Sequence, residues 1–279
     1  MEIKASDVKA LREITGAGMM ECKNALVECK GDAAAAEKLL KEKGLAAVEK
    51  RSGRATTEGL IVIKNDEKKA VMAELTCETD FVAKNVDFIA LADNVLNTAW
   101  NKGYSDVAPE LSQMVLDLAT KVRENMALSR LVTVNAAADE YIAKYIHSDK
   151  KTGVLIVLKA DKASVFSNKE VQDFAYDCCL HVAAFIPRYV RTSDVDQAYI
   201  EEQTGIFKIQ AKESGKPENV QAGIVQGKLK KHLAEICFLE QPFVKDDKLT
   251  VSKKMEEIGK AAGGTLSLSN LVLFQLGAK

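Results

Sequence analysis

The sequence has no excess of either charge. Lys and Arg number 39 against 40 Asp and Glu, so no global field draws in nucleic acid or an anionic membrane, and a partner must be recognised by shape and local chemistry. Long apolar runs are missing. The longest, such as Val154-Leu155-Ile156-Val157-Leu158, have the length of a strand and fall far short of the ~20 residues a membrane helix needs. The opening MEIKASDVKALREITGAGMM is charged from Glu2 onward and lacks the apolar centre of a signal peptide. A soluble, cytoplasmic protein is expected. Histidine is scarce, with His147, His181 and His232 scattered along the chain, and none of the six cysteines forms a CxxC pair. That spacing assembles no zinc site, and the cysteines are expected to be buried free thiols.

Phosphate-binding loops are also wanting. In AGIVQGKL the distance from Gly223 to Gly227-Lys228 is one residue short, and Leu229 stands where Ser or Thr would hold Mg²⁺. In TGAGMME no strand precedes Gly16-Ala17-Gly18, and Glu21 occupies the place of a third glycine. Neither direct nucleotide binding nor any other cofactor is expected. Cys77 with His181 as base would make a cysteine hydrolase, since the two fall in equivalent places of two repeats. However, Cys77 shares the inward register of its strand with Val71, Ala73 and Leu75, and nothing local activates its thiol. The chain has no catalytic candidate and does not read as an enzyme. Lys228, Lys230 and Lys231 would suit an RNA-binding scaffold, but a charge run on a polar helix is ordinarily solvated.

What is present is an α+β pattern across 279 residues, enough for about two domains at roughly 100–200 residues each. Three short helices come first. Ser6 is placed to cap one with Val8 and Leu11 inward; Met19, Cys22, Ala25, Leu26 and Cys29 stripe the next, which Gly31 ends; Asp32 caps a third, with Ala36, Leu39 and Leu40 inward and Gly44 at its close. Residues 41–54 turn basic, lose their period and contain Gly53, which predicts a linker. Residues 1–54 thus form an N-terminal module, and removing residues 1–51 is expected to leave the remainder folded.

A first α+β subdomain (55–139) follows. Leu60-Ile61-Val62-Ile63, a turn at Asn65-Asp66 and a strand through Val71, Ala73, Leu75 and Cys77 form a hairpin. Phe88, Leu91, Ala92, Val95, Leu96 and Ala99 then mark a helix, Pro109 opens another, and residues 130–134 return as a strand. The order repeats in 140–279: a hairpin of 141–146 and 154–159 around Ser148-Asp149, then a helix with Val171, Phe174, Ala175, Cys178 and Val182, ended by Pro187. Residues from about 194 to 239 predict a projecting antiparallel helical hairpin, hinged at Ser214-Gly215-Lys216-Pro217. There Tyr199, Ile206 and Phe207 are expected to meet Ile224, Val225 and Leu229. A C-terminal module (about 241–279) holds a helix from near Ser252 and a strand over 266–276.

LREITGAGMMECKNAL, TDFVAKN, HVAA followed by Pro187, and SGKP followed by a Gly-Lys-Leu-Lys-Lys helix and QPFV occur in that order. Together they resemble the bacterial elongation factor Ts family. The resemblance implies a ubiquitin-associated-like N-terminal module, a core of two subdomains, a protruding coiled coil and a C-terminal module. It also implies a partner, elongation factor Tu, whose GDP is displaced by disturbing the phosphate and Mg²⁺ site.

Two readings compete for several positions. Adjacent Met19 and Met20 lie about 100° apart on a helix and cannot both face a small core; Met19 fits the inward stripe, leaving Met20 exposed. The resemblance assigns Arg12, Met19 and Met20 to the partner's GTPase domain. His181 flanks the apolar stripe of its helix as a structural histidine would, whereas the resemblance has it reach the partner. In Thr79-Asp80-Phe81-Val82, local pattern makes Asp80 an N-cap and Phe81 a hydrophobic staple. The resemblance assigns Thr79, Asp80, Phe81 and Val82 to the partner, with the Asp80-Phe81 pair a wedge that enters between helices of the GTPase.

Overall fold

The computed structural model describes residues 3–278. The chain divides into two compact units, the first holding residues up to 134 together with 146–153 and those from 274 on, the second 135–145 and 154–273.

The first unit begins with α1 (Ala5–Thr15), α2 (Met19–Glu28) and α3 (Ala33–Arg51). Val8, Leu11, Cys22, Ala25, Leu26 and Ala36 form their common core. Lys4, not Ser6, holds the N-cap position of α1; Ser6 lies in the first turn and turns its hydroxyl to Asp7. Asp32 caps α3 as expected, its Oδ1 accepting from the amides of Ala34 and Ala35 at 3.0 Å each.

Beyond these helices, β1 (Glu58–Asn65) and β2 (Lys69–Cys77) pair antiparallel with Glu58 opposite Cys77. Asp66 closes the turn, its carboxylate accepting from the amides of Lys68 and Lys69 at 2.8 Å each. Gly59 sits at φ 147°, where an added Cβ would run into the Leu75 carbonyl, so only glycine allows this pairing. The short helix α4 (Asp80–Ala83) follows, then α5 (Val86–Lys102), α6 (Pro109–Val122) and β3 (Met126–Asn135) on the free side of β2. All six apolar positions read for α5 are buried, in one cluster with Leu60, Val62, Val71, Ala73, Leu75, Leu111 and Val115.

Of residues 41–54, read as a linker, 41–51 are helix and only 52–54 connect. Helix α3 passes through Gly44 and runs on to Arg51, packing along α6, with Val48 inside the cluster of the sheet. A glycine inside a helix costs about 1 kcal/mol relative to alanine. Here it is the residue that fits, because a Cβ on Gly44 would collide with the Thr120 methyl. Tertiary packing thus outweighs the local breaker signal.

The second unit repeats the plan with one change. The strands β4 (Glu140–Ile146) and β5 (Thr152–Ala160) precede α7 (Lys169–Phe185), then α8 (Gln197–Glu213), α9 (Glu218–Ile236), the small strands β6 (Pro242–Phe243) and β7 (Asp246–Thr250), α10 (Val251–Ala261) and β8 (Leu266–Gln275). β5 lies between β4 and β8. The third strand therefore comes from the far end of the chain, with α8 to α10 inserted before it. Val171, Phe174, Ala175, Cys178 and Val182 of α7 pack on Val154, Ile156 and Leu158. α7 stops where Ile186 turns left-handed (φ 47°) ahead of Pro187.

Candidate functional site

Between β2 and α5 the first unit raises its most exposed aromatic side chain. Phe81, in the single turn of α4, is 82% exposed, while its neighbour Val82 is buried and anchors the turn. The cap and staple readings of Asp80 and Phe81 both fail. Thr79 caps α4, its Oγ1 accepting from the Val82 amide at 3.3 Å, and Asn85 caps α5 through the Asp87 amide at 2.8 Å. Asp80 instead takes the Lys84 ammonium at 2.7 Å, and that hydrogen bond is the first cause holding its carboxyl below the usual range. A staple would be covered by the helix it pins; Phe81 is not. Val86, also exposed, adds to the apolar tip.

In the N-terminal helices Arg12 is exposed at the end of α1, and both methionines of α2 face solvent, Met19 at 44% and Met20 at 65% exposure. Met19 does not continue the inward stripe. Cys22, Ala25 and Leu26 fill the small core without it. Ile14 and Val27 are exposed as well, so this module presents apolar surface that its own core does not use.

His181 is brought to no surface. It is fully buried, its ring packed 4.7 Å from Phe185, 5.4 Å from Phe238 and 6.3 Å from Phe243 between ring centres. The Val244 amide donates to Nδ1 at 3.2 Å, so Nε2 carries the proton and donates to Gln241 Oε1 at 2.9 Å. Burial lowers its pKa, against the opposing pull of the Gln241 contact, and the ring is neutral. Two residues that touch it, Phe185 through its ring and Val244 through its backbone amide, carry exposed side chains, and Ile186 beside Phe185 is exposed as well. Sequence reading missed these three. The signal was there in Phe185-Ile186-Pro187: two apolar residues past the stripe, with no helix left to bury them.

The helical hairpin closes more sparsely than expected. Ala211 and Val225 are its buried apolar pair, Tyr199 OH and His232 Nε2 meet at 2.8 Å, and Phe207 packs edge-on to His232. Ile206 and Ile209 remain exposed, as do Lys228, Lys230 and Lys231. Shortening the tip at Ser214-Gly215-Lys216-Pro217 should therefore leave the units intact. Thermal unfolding should find the melting temperature within a few degrees of the parent, because these four residues are all exposed.

Acid-base and nucleophilic chemistry find little support in these surroundings. Burial pushes the Cys77 thiol up to about 12, with the Glu124 and Glu58 charges adding to the shift, so the thiolate a hydrolase needs is not formed at neutral pH. Among the described residues no cluster of His, Cys, Asp and Glu is arranged to hold a metal ion, and no helix is long and apolar enough to cross a membrane.

Comparison with known proteins agrees with the motif order. The family model described as "Elongation factor TS" matches residues 78–278. The "Elongation factor Ts" of Treponema denticola is 69% identical over 277 residues, covering 99% of each chain. That of Treponema pallidum is 54% identical over 290 residues and the whole of both chains, and that of Borrelia recurrentis 43% identical over 262 residues, 93% of this chain and 94% of the relative. The chain belongs to the elongation factor Ts family, translation elongation factors whose role is nucleotide exchange on elongation factor Tu.

Proposed function

We propose that the chain acts in the cytoplasm as a binding module without chemistry of its own, gripping elongation factor Tu and inserting Phe81 as a wedge that disturbs the Mg²⁺ and phosphate site until GDP leaves. The observation that carries this reading is the 82% exposure of a phenyl ring on a turn anchored by buried Val82 and capped by Thr79. An exposed aromatic on a fixed mount loses little conformational freedom on binding, so most of its burial energy is usable. The three N-terminal helices, a ubiquitin-associated-like module, dock on the GTPase through Arg12, Met19 and Met20. His181 acts from beneath, seating Phe185, and does not touch the partner itself.

Release of fluorescent GDP from purified elongation factor Tu, with and without the chain, is the direct test. Unaccelerated release would end the proposal, and steeply salt-dependent binding of RNA in its place would favour a scaffold.

Linkage adds a second requirement. A factor that weakens GDP binding to its partner must itself be weakened by GDP to the same degree. Titrating GDP into the preformed complex is expected to dissociate it, with half-dissociation moving in proportion to the concentration of the chain. A complex whose stability ignores GDP would contradict the mechanism.

A further inference from the structure

Three consecutive residues after α6 reach both the first turn of α2, which carries Met19 and Met20, and the turn that carries Phe81. Arg123 closes α6 in the left-handed conformation at φ 65°, unusual for a residue with a Cβ. Its guanidinium pairs with Glu21, whose carboxylate also accepts from the Gly18 amide at 2.8 Å and so holds the first turn of α2, where Met19 and Met20 sit. Glu124 turns the other way. Its Oε2 accepts from the amides of Glu78 at 3.2 Å and Thr79 at 3.1 Å, and its Oε1 from the Thr79 hydroxyl at 2.7 Å. That hydroxyl is the cap of α4, so Glu124 fixes the rotamer that starts the turn bearing Asp80 and Phe81. Asn125 completes the set. Its amide nitrogen donates to Glu78 Oε1 at 2.6 Å, and its side chain to the carbonyls of Ser52 at 3.2 Å and Arg54 at 2.7 Å, just past the end of α3.

We propose that Arg123, Glu124 and Asn125 form the positioning element of the exchange site, holding the Phe81 turn and the N-terminal helices in one frame, with Glu124 as the residue that aims the wedge. The inference rests on the reading of Phe81 as the wedge. Two features argue against a merely structural hydrogen bond. One carboxylate satisfies three donors at the head of the turn, whereas Val82 and Ala83 anchor only its far side, and four residues of helix make too little backbone bonding to hold an exposed ring still. Without Glu124 the Glu78 and Thr79 amides lose their acceptor, the cap is free to rotate, and Phe81 samples many directions.

The test is a cycle of variants in the full chain, read as GDP release from elongation factor Tu at increasing concentrations of the chain. Glu124→Ala is expected to lower the maximal release rate about tenfold while moving the half-saturating concentration by less than about twofold, because encounter surfaces are intact and only the aim is lost. Glu124→Gln keeps an amide oxygen for the two backbone donors and an NH₂ that donates to the Thr79 hydroxyl, so it should recover most of the rate. The double variant Glu124→Ala with Phe81→Ala should release GDP no more slowly than Phe81→Ala alone, since Glu124 acts only through the ring. Should Glu124→Ala melt below the assay temperature, Thr79→Val, which removes the same hydroxyl contact, takes its place in the cycle. Normal maximal rates for the Glu124 variants beside a slow Phe81→Ala would overturn the positioning role, as would losses that multiply in the double variant. Normal exchange by Phe81→Ala alone would instead overturn the wedge reading, a separate outcome.

Discussion

Replacing Asp80 and Phe81 together by alanine is expected to slow GDP release from elongation factor Tu by about ten- to a hundredfold while the melting temperature falls by a few degrees at most. The magnitude follows from the ring. Burying a phenyl side chain that starts 82% exposed contributes about 1.5–3 kcal/mol, and each ~1.4 kcal/mol spent on the opened state of the partner is worth tenfold in nucleotide affinity. Folding is spared because Phe81, 82% exposed, buries little within its unit, and because Asp80 is a solvated carboxylate whose pair with Lys84 spans one turn at the surface. Stopped-flow release and thermal unfolding, run on the same preparation, separate the outcomes. A large stability loss with normal release per folded molecule would show that the turn is there for folding alone.

The second large effect is expected at the N-terminal helices, and it falls on binding where the first fell on rate. Met19→Ala with Met20→Ala should raise the half-saturating concentration of the chain by about thirty- to a hundredfold and leave the maximal release rate close to that of the parent. Two methionines about half exposed lose about 1–1.5 kcal/mol of burial each when truncated, or about 2–3 kcal/mol together. Titration of the variant against fixed elongation factor Tu·GDP reads both quantities at once, and an unchanged half-saturating concentration would remove the docking role. Removing residues 1–51 is a poorer experiment than the sequence suggests. Val48 lies in the core of the sheet, and the Gly44 region of α3 lies against Thr120, so truncation uncovers α6 and should lower the melting temperature as well as weaken docking.

These expectations show how unevenly the site was legible. The motif TDFV drew attention to a turn that proves to carry an exposed ring, but local pattern by itself favoured a cap and a staple there. What set both aside was tertiary: Thr79 takes the cap, and Phe81 stands 82% exposed. His181 illustrates the reverse. Its flank position on α7 was visible, whereas its enclosure by Phe238, Phe243 and Gln241 comes from residues about sixty positions away. Glu124 was not visible at all. It follows a helix end, belongs to no motif, and acquires its importance only when the chain brings it beside Glu78 and Thr79, 45 or 46 residues away.

By itself the sequence determined the elements whose signal is local: the six-position period of α5, the paired strands with their Asp66 turn, the Asp32 cap and the Pro187 stop. In each, the deciding interaction lies within a few residues, so propensity, period and turn chemistry point the same way. Tertiary structure decided the rest: that α3 continues through Gly44, that β8 supplies the third strand of the second sheet, that Met19 stays exposed and His181 does not. A period shows which side of a helix turns inward; whether the other side is covered, and by what, depends on surfaces that distant segments bring to it only once the chain has folded.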